Sequence, residues 1–371
     1  MKICHIVSGY HRTDARVFVR QCGSLVSAGY QVTLLTNDGL GDERVDKVDI
    51  VATGKSWPRW RTLLFARHQF GRHIKTVDAD LYQLHSPELL PLVAQIKAEG
   101  KKVIYDAHED MPAHILEKSW IGSLIRRPLS KIAHYYMNHV YKKIDGLVSP
   151  HHHVIDRAHA EVGKGTVVAN FPKINWDDAG VDLLAVQREV FCYTGTVYDY
   201  SNQSLTIKAI NALEDGKYEV AGVIGSEYFQ LLESTVDLRR CKFHGHVSHA
   251  DLRLLYKRSI AGLALYDYKL NLGWDKGSYG TNKIFEYMEA GIPIICTDYV
   301  LWKQIIDEYN CGFAISPGDI GALSVALNYL KDNPDMARGM GRNARRAVEA
   351  RFNWRGEEVK YLGVIKEVLD E

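Results

Sequence analysis

The sequence lacks the features that mark several classes of protein. Its 46 Lys and Arg are matched by 45 Asp and Glu, giving a formal net charge of +1, which argues against nucleic-acid binding through overall positive charge. No run of about eighteen apolar residues occurs, so no membrane-spanning helix is expected. The apolar part of the amino terminus is also too short for a secretory signal. Internal repeats and low-complexity segments are absent as well.

Cysteine is scarce, and its spacing is informative. The six cysteines lie far apart and form no CxxC pair. Several fall in apolar runs such as residues 2–7 and 190–193. We therefore expect buried free thiols in a reducing cytosol.

Short apolar strands alternate with helical segments along the 371 residues. The strand predicted at residues 2–7 opens into a glycine turn, a helix at about 14–28 and a strand at 31–36, and the same layout begins again at 190–193. Such βαβ units predict an α/β fold with parallel sheets. The length exceeds that of a single core, so two domains are expected, with a boundary at about residue 174.

Residues 280–298 combine a glycine-marked loop, a short helix, a Gly-Ile-Pro stop and an apolar strand. Ligands of parallel sheets bind beyond the carboxyl ends of the strands, where loop amides favour phosphate. Lys283 and Glu286 share one face of the helix, so Lys283 can reach a phosphate while Glu286 accepts ribose hydroxyls. The alternatives are a solvated Glu286 or a plain ion pair between the two side chains.

Ionisable groups cluster at two strand ends of the amino-terminal half. His85 follows the strand at 80–84, and residues 106–110 follow the strand at 102–105. Burying such a cluster without purpose is costly, so we expect it to line an open cleft. A metal site is disfavoured because no further cluster at ligand spacing completes a set, and the adjacent histidines 151–153 point in different directions. His85 could alternatively cap the turn.

Several motifs resemble a known family. They are NKIFEYMEAGIPII, RTDARVFVRQ, YDAHED and VVANFPK. These segments resemble the retaining glycosyltransferases of the GT-B fold, glycosyltransferase family four, and in particular bacterial enzymes of surface-polysaccharide assembly. The resemblance extends from Met1 to about Leu369. It implies two Rossmann-like domains facing a central cleft: an acceptor domain at 1–174, a nucleotide-sugar donor domain at 175–350, and a helix at 351–371 that crosses back to the first domain.

The resemblance also implies roles for individual residues. The catalytic candidates are His85, Lys283 and Glu286. The donor-binding candidates are Gly9, Gly195, Thr196, His246, Ser278, Tyr279, Gly280, Asn282, Lys283 and Glu286. The acceptor-binding candidates are Tyr10, Asp14, Arg16, His108, Glu109 and Asp110. For two of them the alternatives are structural, because Gly9 suits a tight turn and Arg16 suits an ion pair.

The sequence departs from the family pattern at two positions. Most members have an Arg and a Lys just after the glycine turn at Gly195, whereas residues 198–203 here contain no cation. The first Glu of the family motif is replaced by Ser278. A diphosphate in a metal-free site needs a cation, and Lys283 and Arg16 are the candidates.

The implied function is retaining transfer of a sugar, expected to be a hexose, from a UDP- or GDP-sugar to a lipid-linked glycan acceptor in capsule, O-antigen or exopolysaccharide synthesis. No metal or other cofactor is expected. The alternatives are a sugar-nucleotide epimerase or phosphorylase of the same fold, or a catalytically silent partner in a glycan-assembly complex.

Two stretches, residues 55–75 and 119–143, combine basic and aromatic side chains. This composition suits contact with an anionic membrane surface. The alternative is amphipathic helices whose aromatic side chains face the core. Neither stretch matches a nucleic-acid-reading module. With membrane contact through these stretches and no spanning helix, the expected location is cytoplasmic and peripheral, at the inner face of the cell membrane.

Overall fold

The computed structural model describes residues 1–118, 121–174 and 188–370, which form two compact units. The first unit contains Met1–Asn170, Leu270–Gly273 and the chain from Trp354 onward, and the second contains the described parts of Phe171–Lys269 and Trp274–Asn353. These divisions lie close to the domain limits expected at 174 and 350. Ser119 and Trp120 of the second basic stretch, and the first thirteen residues of the expected donor domain, lie outside the described residues.

The first unit is built on an eight-stranded sheet. Its strands are β1 (Lys2–Ile6), β2 (Gln31–Thr36), β3 (Glu43–Val45), β4 (Val48–Ala52), β5 (Leu81–Leu84), β6 (Lys102–Asp106), β7 (Gly146–Ser149) and β8 (Gly165–Val167). They run in the order β3-β4-β2-β1-β5-β6-β7-β8, and every pair is parallel except β3 with β4. The central strands are buried on both faces, which explains why they read as apolar runs and not as alternating patterns.

Helices cover both faces of this sheet. A π-helix at Ala15–Cys22 continues into α1 (Gly23–Ser27), in place of the single helix expected from 14 to 28. A 3-10 helix at Pro87–Leu92 precedes α3. The α-helices that follow are α2 (Arg59–Val77), α3 (Val93–Ala98), α4 (Met111–Glu117), α5 (Ser123–Tyr141) and α6 (His152–Val162).

The second unit is built on a six-stranded parallel sheet. Its strands are β9 (Val190–Thr194), β10 (Tyr218–Ala221), β11 (Cys241–Gly245), β12 (Ser259–Ala264), β13 (Ile294–Thr297) and β14 (Gly312–Ile315), in the order β11-β10-β9-β12-β13-β14. Its helices are α7 (Gln203–Asn211), α8 (Ser226–Thr235), α9 (His249–Lys257), α10 (Lys283–Glu289), α11 (Val300–Tyr309), α12 (Ile320–Asp332) and α13 (Pro334–Ala350). The predicted architecture of two Rossmann-like α/β domains is confirmed.

The last helix, α14 (Trp354–Leu369), belongs to the first unit. Its side chains Trp354, Tyr361 and Ile365 are buried in the same apolar cluster as β1 and β2. Burial of three large side chains of this kind contributes several kcal/mol. The helix is therefore part of the first unit's core.

Two further predictions concern the pairing and burial of the cysteines and the presence of a membrane-spanning helix. All six cysteines are unpaired, and all are buried except Cys241, which is partly exposed. Among the described residues, no helix is long and apolar enough to cross a membrane.

Changing Gly262 to Ala is expected to destabilise the second unit. A Cβ at this position of β12 would lie 2.3 Å from the buried ring of Tyr287, and the forced shift should cost about 1–3 kcal/mol. The matched change Gly363→Ala lies on α14 where a Cβ meets open space, and it should stabilise by about 0.5–1 kcal/mol because alanine favours a helix. Urea unfolding measures both, and an unchanged midpoint for Gly262→Ala would contradict the packing.

Candidate functional site

A buried carboxylate at the end of β6 organises the polar residues of the first unit. Asp106 is fully buried and accepts two hydrogen bonds from Arg16, at 3.0 and 2.8 Å, and one from Gln21 at 2.7 Å. Burial alone would raise the pKa of Asp106, but Arg16 and the hydrogen bonds of His108 and His85 hold that pKa well below its usual value. Asp106 is therefore a charged acceptor.

Histidines extend this network in two directions. His108 Nε2 lies 3.1 Å from Asp106 Oδ2, and because a carboxylate only accepts, this nitrogen carries a hydrogen. His85 Nδ1 lies 3.3 Å from the same oxygen and 3.3 Å from His108 Nε2. Burial lowers the pKa of His85 and of His5, so both rings are neutral at pH 7. His85 Nε2 and His5 Nδ1 share a hydrogen bond of 2.8 Å. In its neutral form, His108 accepts at Nδ1 from the hydroxyl of Tyr10 at 3.0 Å.

A second chain of hydrogen bonds reaches Asp106 from α14. Tyr361 donates to Gln83 Oε1 at 2.7 Å, and Gln83 Nε2 donates to Gln21 Oε1 at 3.0 Å. Gln21 in turn donates to Asp106. The last helix of the chain therefore helps to orient the carboxylate.

The network places its histidines at different depths. His85 is 1% exposed and both of its ring nitrogens have partners inside the protein. His108 and Tyr10 are partly exposed and form the solvent-facing end. Contact of His85 with a sugar stays a prediction, but this geometry favours a positioning role for His85 and leaves His108 and Tyr10 as the solvent-accessible groups of the network.

Three other acceptor candidates are held by internal partners. Arg16 is buried, and its Nη1 donates to Val168 O and Asn170 Oδ1, so its charge is committed within the first unit. Asp14 caps the π-helix by accepting from Arg16 N and Val17 N, each at 2.9 Å. Asp110 pairs with both terminal nitrogens of Arg157 at 2.9 and 2.8 Å. These contacts support the structural alternative for Arg16 and leave acceptor binding by all three as an untested prediction.

Glu109 and two residues that the sequence did not single out lie beside the exposed end. Burial raises the pKa of Glu109, but His114, Arg59 and Lys118 together lower it to about 2. Glu88 is 4% exposed, and neither of its carboxylate oxygens has a hydrogen-bond partner among the described residues. Arg59 Nε lies 3.8 Å from Glu88 Oε1.

A buried carboxyl group without donors is rare and calls for an explanation. Glu88 lies three residues after His85 in the segment that follows β5, and this position is its sequence signal. Hydroxyl groups of a bound glycan would satisfy its oxygens. We therefore add Glu88 to the acceptor candidates.

His85, Asp106 and His108 offer ligand atoms within 4.8 Å of one another, which raises the question of a metal. The carboxylate already accepts from Arg16 and Gln21. His108 Nε2 donates to it as well, and a metal would lie beside the buried guanidinium of Arg16. These residues fit a hydrogen-bonded network better than a metal centre.

In the second unit, Gly195 and Lys283 meet at the carboxyl end of β9. Gly195 has φ +91°, and a Cβ there would lie 2.9 Å from Lys283 Nζ, so only glycine allows this approach. The ammonium also lies over the rings of Tyr193 and Tyr266, at 5.0 and 5.9 Å from their centres. Lys283 forms no ion pair with Glu286 or any other described residue. Its charge remains available to an anion at the turn.

Glu286 lies on the next turn of α10 and is partly buried. Its Oε2 accepts from the hydroxyl of Tyr256 at 3.2 Å, and that hydroxyl also lies 3.0 Å from Thr194 Oγ1. Within the described part of the chain, Oε1 has no partner. The side chain is thus oriented by Tyr256 and keeps one oxygen for a ligand.

Buried hydrogen bonds hold the loop before α10. Ser278 is fully buried, its Oγ accepts from Gly280 N at 3.2 Å, and its carbonyl accepts from Trp302 Nε1 at 2.8 Å. Burial disfavours the predicted contact of the Ser278 side chain with a donor. Tyr279 packs on Phe171 at 5.5 Å, and Asn282 Oδ1 is buried without a partner among the described residues.

The remaining donor candidates lie at strand ends. Gly9, with φ +73°, turns the chain after β1 and donates to Asn37 Oδ1 at 3.2 Å. Thr196 and His246 are exposed beyond β9 and β11. Because the sheet is parallel, both positions share the ligand-binding edge with Gly195.

Two family models match successive parts of the chain. The model described as Glycosyltransferase Family 4 matches residues 15–171, and the model described as Glycosyl transferases group 1 matches residues 176–347. The chain is a GT-B glycosyltransferase. No curated protein sequence matches it closely enough to count as a relative.

Solved structures share the fold of this glycosyltransferase at low sequence identity. A sucrose-phosphate synthase from Thermosynechococcus elongatus has 15% identity and a TM-score of 0.77, covering 100% of this chain and 99% of its own. HepE of Anabaena, solved with UDP and glucose, has 11% identity and a TM-score of 0.70, with 99% and 100% covered. WaaG, a glycosyltransferase involved in lipopolysaccharide biosynthesis, has 14% identity and a TM-score of 0.69, with 97% and 98% covered.

Replacing Glu88 with Gln is expected to stabilise the glycosyltransferase at neutral pH. Burial raises the pKa of Glu88 in the folded state, so the folded protein holds this proton more tightly than the unfolded chain. Below the unfolded pKa of about 4.3, Glu88 is protonated in both the folded and the unfolded state and does not reduce the free energy of unfolding. As the pH rises from there through the folded pKa, the buried carboxyl group increasingly reduces that free energy. The melting temperature of Glu88→Gln should therefore exceed that of the parent at pH 7, with the gap closing towards about pH 4.

The control is Glu214→Gln, which changes an exposed glutamate with no ion pair to a described residue. Its melting temperature should follow that of the parent at every pH. A pH-independent gap for Glu88→Gln would show that Glu88 carries no buried charge.

Proposed function

We propose that this glycosyltransferase moves a hexosyl group from a nucleotide-diphosphate sugar to a lipid-linked glycan acceptor with retention of anomeric configuration. The observation that carries the proposal is the uncompensated ammonium of Lys283 at the glycine turn of β9, with Glu286 on the next helical turn. A diphosphate needs such a cation, and a ribose needs such an acceptor. Both lie at the sheet edge where nucleotides bind in this kind of unit.

In the proposed reaction, the protein contributes mainly by stabilising charge and less by acid–base catalysis. Bond cleavage at the anomeric carbon leaves negative charge on the nucleoside diphosphate, and Lys283 stabilises it. In a front-face process the departing phosphate takes the proton of the acceptor hydroxyl, so the protein mainly positions the reactants. HepE has been solved with UDP-glucose, and the Escherichia coli trehalose-6-phosphate structure holds UDP-2-fluoro glucose. These neighbours support a UDP-sugar as the first donor to test.

The first unit offers groups suited to a glycan. Tyr10 and His108 are partly exposed, and Glu88 and Glu109 lie beside Arg59. Carboxylate oxygens with spare acceptor capacity and a tyrosine hydroxyl can bind sugar hydroxyls. We assign acceptor binding to this group, with His85 and Asp106 holding His108 in place.

Two helices of the first unit suit a lipid-linked acceptor. Helix α5 exposes large apolar side chains, with Leu124 90%, Ile132 66% and Tyr135 81% exposed. Helix α2 exposes Trp60 and Leu64 to a similar degree. These side chains do not face the core. Both helices contain Arg and Lys but no Asp or Glu, which complements an anionic membrane surface.

Lys283→Met is expected to weaken binding of the donor by about tenfold or more, because one charge-assisted contact to the diphosphate is lost. Thermal-shift titration with UDP- and GDP-sugars measures it, since a ligand at 100 times its dissociation constant stabilises by about 2.7 kcal/mol. The matched control is Lys208→Met, an exposed lysine on α7. Equal shifts for the two variants would remove Lys283 from the donor site.

The acceptor requirement separates transfer from the alternatives. A transferase releases little nucleoside diphosphate until an acceptor is supplied. An epimerase would convert the UDP-sugar without one, and a silent partner would bind it unchanged. Either outcome would overturn the proposed reaction while leaving donor binding intact.

Leu124→Glu combined with Ile132→Glu is expected to abolish binding to anionic vesicles, because two exposed apolar contacts become like charges at the lipid surface. Flotation with phosphatidylglycerol-containing liposomes measures it. The control is Val325→Glu on α12, which is 69% exposed but lies in the second unit. Equal flotation of parent and double variant would contradict the membrane surface.

A further inference from the structure

A large cavity lies at the other edge of the second unit's sheet. It has a volume of about 1040 Å³, and its floor is formed where strands begin, at Phe191, Tyr218, Cys241 and Ile260. Gly195 lies beyond the opposite end of β9, about 13 Å away at 3.3 Å per residue. The cavity is therefore distinct from the donor site at the carboxyl ends of the same strands.

The lining of this cavity is strongly basic. Seven Lys or Arg side chains face three Asp or Glu side chains. Glu189 pairs with Lys217 at 2.8 Å, and Glu219 pairs with Arg258. Of the basic side chains, Arg239 pairs with Asp237 at 2.6 Å and Arg338 pairs with Asp335. Arg240, Lys242 and Lys331 have no ion pair among the described residues. The balance of charge in the cavity is positive.

Arg188 gives the clearest sign of a missing anion. Its Nη2 donates to Gly291 O at 3.2 Å, but Nε and Nη1 are buried and have no hydrogen-bond partner in the described part of the chain. Burial, and then the charge of Arg338, lower the pKa of Arg188 to about 10. No described carboxylate pairs with this guanidinium. Buried guanidinium donors are almost always satisfied, and an anion is the partner that also offsets their charge.

We propose that this cavity binds a small, multiply charged anion that carries phosphate groups. The planar fork of a guanidinium matches a phosphate bidentately, and both Arg188 and Arg338 line the cavity, where Nη2 of Arg338 also pairs with Asp335. Arg240, Lys242 and Lys331 add charge at the other lining positions. The volume suits a ligand larger than one phosphate ion. A concave lining built at strand starts also differs from the exposed helix faces that suit a membrane surface.

The test uses inorganic pyrophosphate as the probe, titrated by calorimetry into the full chain with the donor site saturated by UDP. Binding should persist under these conditions and also in Lys283→Met, because neither affects the cavity. Arg338→Gln should weaken pyrophosphate binding by about tenfold or more, through loss of a charge-assisted contact. Arg188→Gln should do the same.

Two further variants keep the test decisive. Arg188 is partly buried, so Lys242→Gln, which changes an exposed lysine of the lining, provides the same measurement with less risk to folding. The control is Arg346→Gln, an exposed arginine on α13 outside the cavity. Absence of binding to the UDP-saturated parent, or equal weakening by Arg338→Gln and Arg346→Gln, would overturn the proposal. Binding that disappears in Lys283→Met would place the pyrophosphate in the donor site instead.

Discussion

The buried charge of Asp106 is the constraint on which the first unit's site depends. Moving a carboxylate out of water costs several kcal/mol unless charges and donors compensate it. Arg16 from the π-helix, Gln21 from the same helix and two histidines supply that compensation. Each partner has further partners of its own, which reach β1 through His5 and α14 through Tyr361. One buried charge therefore fixes side chains from the π-helix, β1, β5 and α14, and leaves His108 and Tyr10 as its solvent-facing end.

The second unit uses the opposite arrangement. Its key group is Lys283, a cation that no described residue neutralises. Lys283 lies against a glycine turn and over two tyrosine rings, which tolerate positive charge without cancelling it. A compensated charge organises structure, whereas an uncompensated one attracts a ligand. The same reasoning applies to Arg188 at the other edge of that sheet, where two guanidinium nitrogens are buried without acceptors among the described residues.

The sequence predicted the two α/β units and the strand ends that carry the candidate residues, because apolar runs, glycine turns and helix stops are local signals. It also predicted that Lys283 and Glu286 share a helix face. It did not predict that His85 and Ser278 are buried, since their partners His5 and Trp302 lie far away in the chain. Glu88 was missed for the same reason, because an orphan carboxylate is recognised only once its surroundings are known.

Residues 198–203, which follow the glycine turn, contain no cation, but Lys269 from a later part of the chain lies against this segment. Tyr198 and Tyr200, which occupy that segment, stack with their ring centres 4.9 Å apart. Lys269 comes from beyond β12 and places its ammonium 4.8 Å from the centre of the Tyr200 ring. The backbone fixes this approach, since Asp267 N donates to Tyr200 O at 3.0 Å. A positive charge therefore lies against the segment that follows the glycine turn, although that segment contains no cation of its own. A motif comparison along the chain could not reveal this.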